Sequence, residues 1–321
     1  MDRRFILAFA IAAPLACKDP EDPNIEDTSG FASQSIGEVE EGISGDDGKE
    51  TWGEGELRGI LTFTLYPADA LIDVDELGLA GAWRTSDEEI EAVDDFYAAF
   101  ALGTAFPLPP GEDELQQNEI PAGFTWGDVE TWVEAGTAFK LVHEGEAVQA
   151  EACLHHVGMV FDIYPIYTAA GEGDCAPDAS QYIPGKDYDF IVYGGEMFAD
   201  VVYKGAVETP AGFEVRAPAF DEYNAPLMQS DAIDVEWEGE DPRGYRIVIR
   251  VWDDLGRMFT INARDDGEYT IPADALAVLA PGPITIAVAR EHIERIPIPA
   301  GGVKVVTRYE RFGYFDLVAA G

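Results

Sequence analysis

Positive charge is scarce in this chain: 20 lysines and arginines stand against 62 aspartates and glutamates, a formal net charge of −42 over 321 residues. Such a field repels phosphate polymers and anionic lipid headgroups, which argues against nucleic acid as a partner. Histidine is scarcer still, and four of them leave little general-base capacity near neutral pH. No Gly-x-Ser-x-Gly elbow, Walker-type glycine loop or dinucleotide fingerprint occurs, and His143-Glu144 lacks the second histidine of a His-Glu-x-x-His zinc motif. An enzyme is not the favoured reading.

Cysteine is limited to Cys17, Cys153 and Cys175. The first closes a distinctive N-terminus: Met1-Asp2-Arg3-Arg4, a nine-residue apolar run from Phe5 to Ala13, then Pro14-Leu15-Ala16-Cys17. A helix needs about 20 apolar residues to cross a bilayer, so residues 1–16 read as a cleaved signal. They resemble a bacterial lipoprotein signal, which implies that Cys17 is acylated and anchors the mature chain in a membrane. The family places a large aliphatic residue three positions before the cysteine; here that place is Pro14, with Leu15 one position late. With Cys17 acylated, Cys153 and Cys175 remain as an even pair in an oxidising compartment. Their bridge would close a loop of about 22 residues and stabilise the fold by on the order of 3 kcal/mol. His155, His156 and Met159 lie near Cys153, but no second cluster has the spacing of a zinc site.

Residues 17–49 carry acids, Pro, Gly and Ser with no apolar period, the pattern of a disordered, self-repelling tether. Beyond it the charge changes near Phe213. Residues 50–212 hold 32 acids and 5 bases, whereas 213–321 hold 19 and 11. Two domains with that boundary are expected.

In the second, Ile233, Val235 and Trp237 alternate with acids, the period of a strand with one wet face. Tyr245, Ile247, Ile249 and Val251 continue it, Asp253-Asp254-Leu255-Gly256 turns, and Phe259, Ile261 and Ala263 return. Short strands follow at Glu268–Ile271, Ile284–Arg290, Val303–Tyr309 and Phe312–Val318, with a helical turn at Asp274–Leu279. The spacing favours a β-sandwich. The Val235-Glu236-Trp237 strand followed by the Tyr245 strand resembles fibronectin type III and immunoglobulin-like domains. Signal, acidic tether and paired β-rich bodies together are similar to acidic lipoproteins of myxobacteria, and neither resemblance implies an activity.

The first domain opens with Leu57, Gly59, Leu61, Phe63 and Leu65 on one face of a strand, and further strands are expected near 137–143, 148–154, 188–193 and 200–204. One helix is predicted over 86–102, from the capping box Ser86-Asp87-Glu88-Glu89 and the stripe Ile90, Val93, Tyr97, Phe100. The fold class is thus mainly β, with two β-sandwich-like domains and one inserted helix.

Candidate sites are few. Asp73, Asp75 and Glu76 begin like a calcium loop, with Gly78 at the sixth position but Arg84 at the twelfth; the alternative is solvated charge that keeps the protein soluble. Calcium is the one cofactor these residues suggest. Trp126, Trp132 and Trp252 are candidates for stacking on sugar rings, against the alternative that each is core. The expectation is a lipid-anchored protein of the cell envelope, periplasmic or on the surface, serving as a non-enzymatic binding or structural module. Its partners would be the membrane, through the N-terminal lipid, and an envelope protein or glycan. Two alternatives stay open: a glycan-active hydrolase using a carboxylate pair, and a calcium-dependent adhesion or carbohydrate-binding protein.

Overall fold

A computed structural model describes residues 57–68, 75–85, 114–116, 132–143, 148–159, 162–168, 182–196, 198–239, 243, 245–255 and 257–319. The predicted helix 86–102, the tether and the signal lie outside them. The described chain is mainly β, as its sequence predicts. Its spine is one hairpin: β16, Gly282–Ile298, and β17, Gly301–Val318, paired without a register shift from Gly282↔Leu317 to Ile298↔Gly301. The sequence suggests a break in β17 between Tyr309 and Phe312. The strand instead runs through, because Glu310 and Arg311 are both buried and ion-paired, to Arg250 and Glu214. Pro297 sits in β16 beyond Glu291, where pairing on its second side has ended, which is where a strand tolerates the missing donor.

Strands assemble on both sides of this spine. On one side, β13 (Arg246–Asp253) pairs β16, β14 (Met258–Arg264) pairs β13, and the short β3 (Glu114–Gln116) closes that edge. On the other, β1 (Leu57–Tyr66) runs parallel to β17 and β2 (Glu76–Thr85) returns antiparallel to β1. β2 also pairs the short β4 (Trp132–Val133) and β7 (Asp162–Thr168). β6 (Val148–Met159), β5 (Ala138–Val142), β8 (Asp187–Tyr193) and β9 (Val201–Glu208) then complete the path. β11 (Ala225–Met228) runs parallel to the far end of β17, making a 14-stranded sheet. Three strands form a second sheet: β10 (Val215–Ala217), β12 (Ile233–Trp237) and β15 (Glu268–Ile271). The only helix among the described residues, α1, is the single turn Ala273–Leu276.

Among the described residues two hydrophobic clusters form, both on one face of the hairpin, here called the core face. The first gathers inward residues of β1, β2, β5, β8 and β9 with Ile296, Ile298, Val303 and Val305 of the hairpin tip. Trp83 is its centre, stacked on Phe139 at 4.4 Å and edge-on to Tyr167 at 4.5 Å. Gly59 makes this possible: a Cβ there would fall 2.0 Å from the indole nitrogen. Cluster two lies between the large sheet and the three-stranded one, where Ile233, Val235 and Trp237 meet Ile247, Ile249, Val251, Ile286 and Phe315. The clusters divide between Val207 and Phe213, but the hairpin serves both, so the sheet is continuous across that point.

Candidate functional site

The strand period of two puts the remaining side chains of β13, β16, β17 and β1 on the opposite face, and register places them in rows. One row reads Arg246, Glu291, Arg308, Thr64 across four strands. Glu291 is 1 % exposed and is shared: one carboxylate oxygen accepts from Arg246 Nε at 2.9 Å and from its Nη2, the other from Arg308 Nε. In the adjoining rows Arg250 is ion-paired with Glu310. Lys304, 1 % exposed, stands two rows toward the hairpin tip. With Arg295, which register sets opposite Lys304, this ladder places five buried or half-buried cations against two carboxylates inside a protein of the opposite charge.

Electrostatics follow from that arrangement. Burial alone would raise the Glu291 carboxyl, yet the flanking charges of Arg246 and Arg308 outweigh it and hold it down at about 2. Tyr66 moves the other way. Burial, reinforced by Glu310, pushes its hydroxyl up to about 12 against Arg250 and Arg308. A carboxylate held so low is a poor proton donor, so Glu291 suits positioning and charge balance better than general acid work.

Beyond the ladder the same face turns aromatic. Tyr66 stacks on Phe312 at 5.3 Å, and Trp252 meets Phe312 edge-on at 6.3 Å. Register sets β16 between Trp252 and Phe312, where it offers only Ala287 and Thr285, so the rings can lean together over the middle strand. Trp252 is half-buried, on the face opposite Ile249 and Val251 as the alternation predicts.

A second polar belt crosses the core face between the clusters. Arg290, 2 % exposed, bonds Asp265 at 2.7 Å, donates to the carbonyls of Ala211 and Gly239, and lies over the Phe213 ring. Asp265 in turn accepts from Trp237 Nε1 at 2.9 Å. Tyr245 donates to Glu208 at 2.7 Å and packs on His292, which touches Glu294 at 2.6 Å.

The residues singled out in the sequence do not converge. Asp75 is exposed and its Oδ1 accepts from the Ala68 amide at 2.7 Å, tying the two ends of the β1–β2 connection; Glu76 opens β2, and Asp73 lies outside the described residues. Trp126 also lies outside them, and Trp132 is described only through its β4 backbone, opposite Arg84. Cys153 is 9 % exposed on β6, opposite Ala138 and Thr168, whereas Cys17 and Cys175 are outside the described residues. Among the described residues no group of three or more His, Cys, Asp or Glu is placed to hold a metal.

Sequence reasoning missed the ladder. Arg246, Arg250, Arg308 and Glu310 alternate with apolar residues, and alternation alone reads as a wet strand face. A signal was present nonetheless, since five of the chain's 20 basic residues fall between Arg290 and Arg311. No protein-family model, curated protein or solved structure matches this chain.

Proposed function

We propose that this is an exported lipoprotein, anchored through Cys17, whose β-built body serves as a non-enzymatic binding or structural module of the cell envelope. The observation that carries the reading is where the cations go. Lys304, Arg290, Arg308 and Arg311 are at most 8 % exposed, while Asp234, Glu236, Glu238, Asp266 and Glu268 face solvent on and beside the three-stranded sheet. Withdrawing cations inward leaves the surface more acidic than composition implies. Such a body stays soluble and is repelled by anionic headgroups, so its hold on a membrane falls to the acyl chain. The Cys153–Cys175 bond belongs to the same proposal, because export supplies the oxidising conditions it needs.

Cys17→Ser tests it. The variant is expected in the soluble fraction and the parent with membranes, with non-reducing peptide mapping joining Cys153 to Cys175 in both. Membrane association that survives the substitution sinks the anchor.

A further inference from the structure

The ladder face is buried, yet neither hydrophobic cluster accounts for it. Ile60, Ala82, Val248, Ala287, Ala289 and Val306 are at most 2 % exposed, all occupy this face by register, and none belongs to either cluster. Chain topology names a candidate cover. Residues 86–131 leave the end of β2, are pinned midway where β3 pairs β14 at one edge of the sheet, and return to β2 at β4. From β2 through β1, β17, β16, β13 and β14 to β3 is six strand spacings, roughly 29 Å, and register sets the Glu114 row nine residues along β17 from the Thr85 row, roughly 30 Å, so the route runs diagonally. The core face along that route is occupied by the clusters and the three-stranded sheet. Among the described residues, the ladder face is the one left for the crossing.

Charge agrees with topology. Residues 86–131 contain 12 acids and no lysine or arginine, and the face beneath the crossing carries Arg58, Arg246, Arg250, Arg295, Lys304 and Arg308 against Glu291 and Glu310. Shape agrees as well. Ala82, Ala287 and Ala289 keep the floor low, and a 17-residue helix over 86–102 would be about 26 Å long, part of the diagonal, with residues 103–113 left to reach β3.

We propose that the ladder face is the docking surface of the chain's own acidic segment 86–131. Ile90, Val93, Tyr97 and Phe100 rest on the alanine floor, and the acids on either side of that stripe meet the ladder's cations. The ladder is then half of an electrostatic clasp whose other half is supplied by a stretch of sequence with no positive charge.

Photo-crosslinking of the full chain with p-benzoyl-phenylalanine in place of Phe100 tests the docking. The expected products join position 100 to peptides spanning 246–252, 285–293 or 304–312. Products reaching only the three-stranded sheet, residues 17–49 or a second copy of the chain, or no product at all, overturn it. A second measurement uses Lys304, which should acetylate slowly in the native chain. Ile90→Asp should raise its labelling rate about tenfold by favouring local opening, with exposed Lys186 and Lys204 as internal references and near-ultraviolet circular dichroism confirming the fold. Unchanged protection of Lys304 in the folded variant also overturns the proposal.

Discussion

The two faces of the β16–β17 hairpin share every backbone hydrogen bond and differ only in which alternate side chain they carry. On the core face Ile284, Ile286, Val288, Phe315 and Leu317 are held by contact and water exclusion, which is non-directional. On the ladder face Glu291 is held by two guanidinium groups at fixed positions, so its stability depends on partners rather than area. The contrast teaches how one strand can be buried on both sides without being apolar on both. A core face tolerates a change of shape better than a change of polarity, whereas a ladder tolerates neither at its shared carboxylate.

The largest expected effect breaks the ladder. Glu291→Gln leaves Arg246 and Arg308 buried around a neutral group, and removing one partner of a buried ion network costs about 3–5 kcal/mol; urea denaturation should show it, and a loss below about 1 kcal/mol would refute the shared-carboxylate account. Replacing Arg246, Glu291 and Arg308 together by Met, Leu and Met sharpens the point, since apolar replacement of a whole buried network is often neutral or stabilising. A triple variant less stable than Glu291→Gln would mean the ladder does more than balance charge.

On the core face, Ile286→Ala should cost about 2–5 kcal/mol through lost contact and the cavity left behind, with no change in pH dependence. Acid titration separates the two faces directly. Because the Glu291 carboxyl is held at about 2 in the fold, below its ordinary 4.5, its stabilisation is complete above pH 4.5 and is lost as pH falls toward and through 2. Thermal denaturation between pH 5 and 2 should show this acid limb for Ile286→Ala and a shallower one for Glu291→Gln; equal slopes would count against it. Smallest is the partly buried single pair Lys140–Glu151, at 3.0 Å, which belongs to no network among the described residues: Lys140→Ala should move stability by about 1 kcal/mol, and less in high salt.

Much of the strand inventory was legible in the residues. Ile233-Asp-Val-Glu-Trp237 is buried and exposed in strict alternation, the Asp253 turn joins β13 to β14, and the Leu57 strand turns its five expected residues inward. The Asp253 turn had a chemical reason, because the carboxylate accepts from the amides of Leu255, Arg257 and Ala280. Not legible were β2 and β7. Asp73-Val-Asp-Glu76 reads as the opening of a calcium loop and gives no hint that Leu77, Leu79 and Trp83 behind it lie on a strand, and Pro165 disguises the strand that carries Tyr167, whose hydroxyl bonds Ala135 and Gly136 in the core. Local pattern reports which residues alternate; it does not report whether the second face meets water.

From the amino acids alone come the mainly β class, the acidic balance, the inward faces of β1, β12, β13 and β14, and the turns between them, because each rests on residues adjacent in the chain. Tertiary structure alone decided that β1 joins β17 across more than 200 residues of sequence, that one hairpin serves both clusters, and that Arg246, Glu291 and Arg308 stand side by side. Those outcomes depend on strand register, which is set by the packing of whole faces against each other. A charge on a strand carries no mark of the neighbour it will meet.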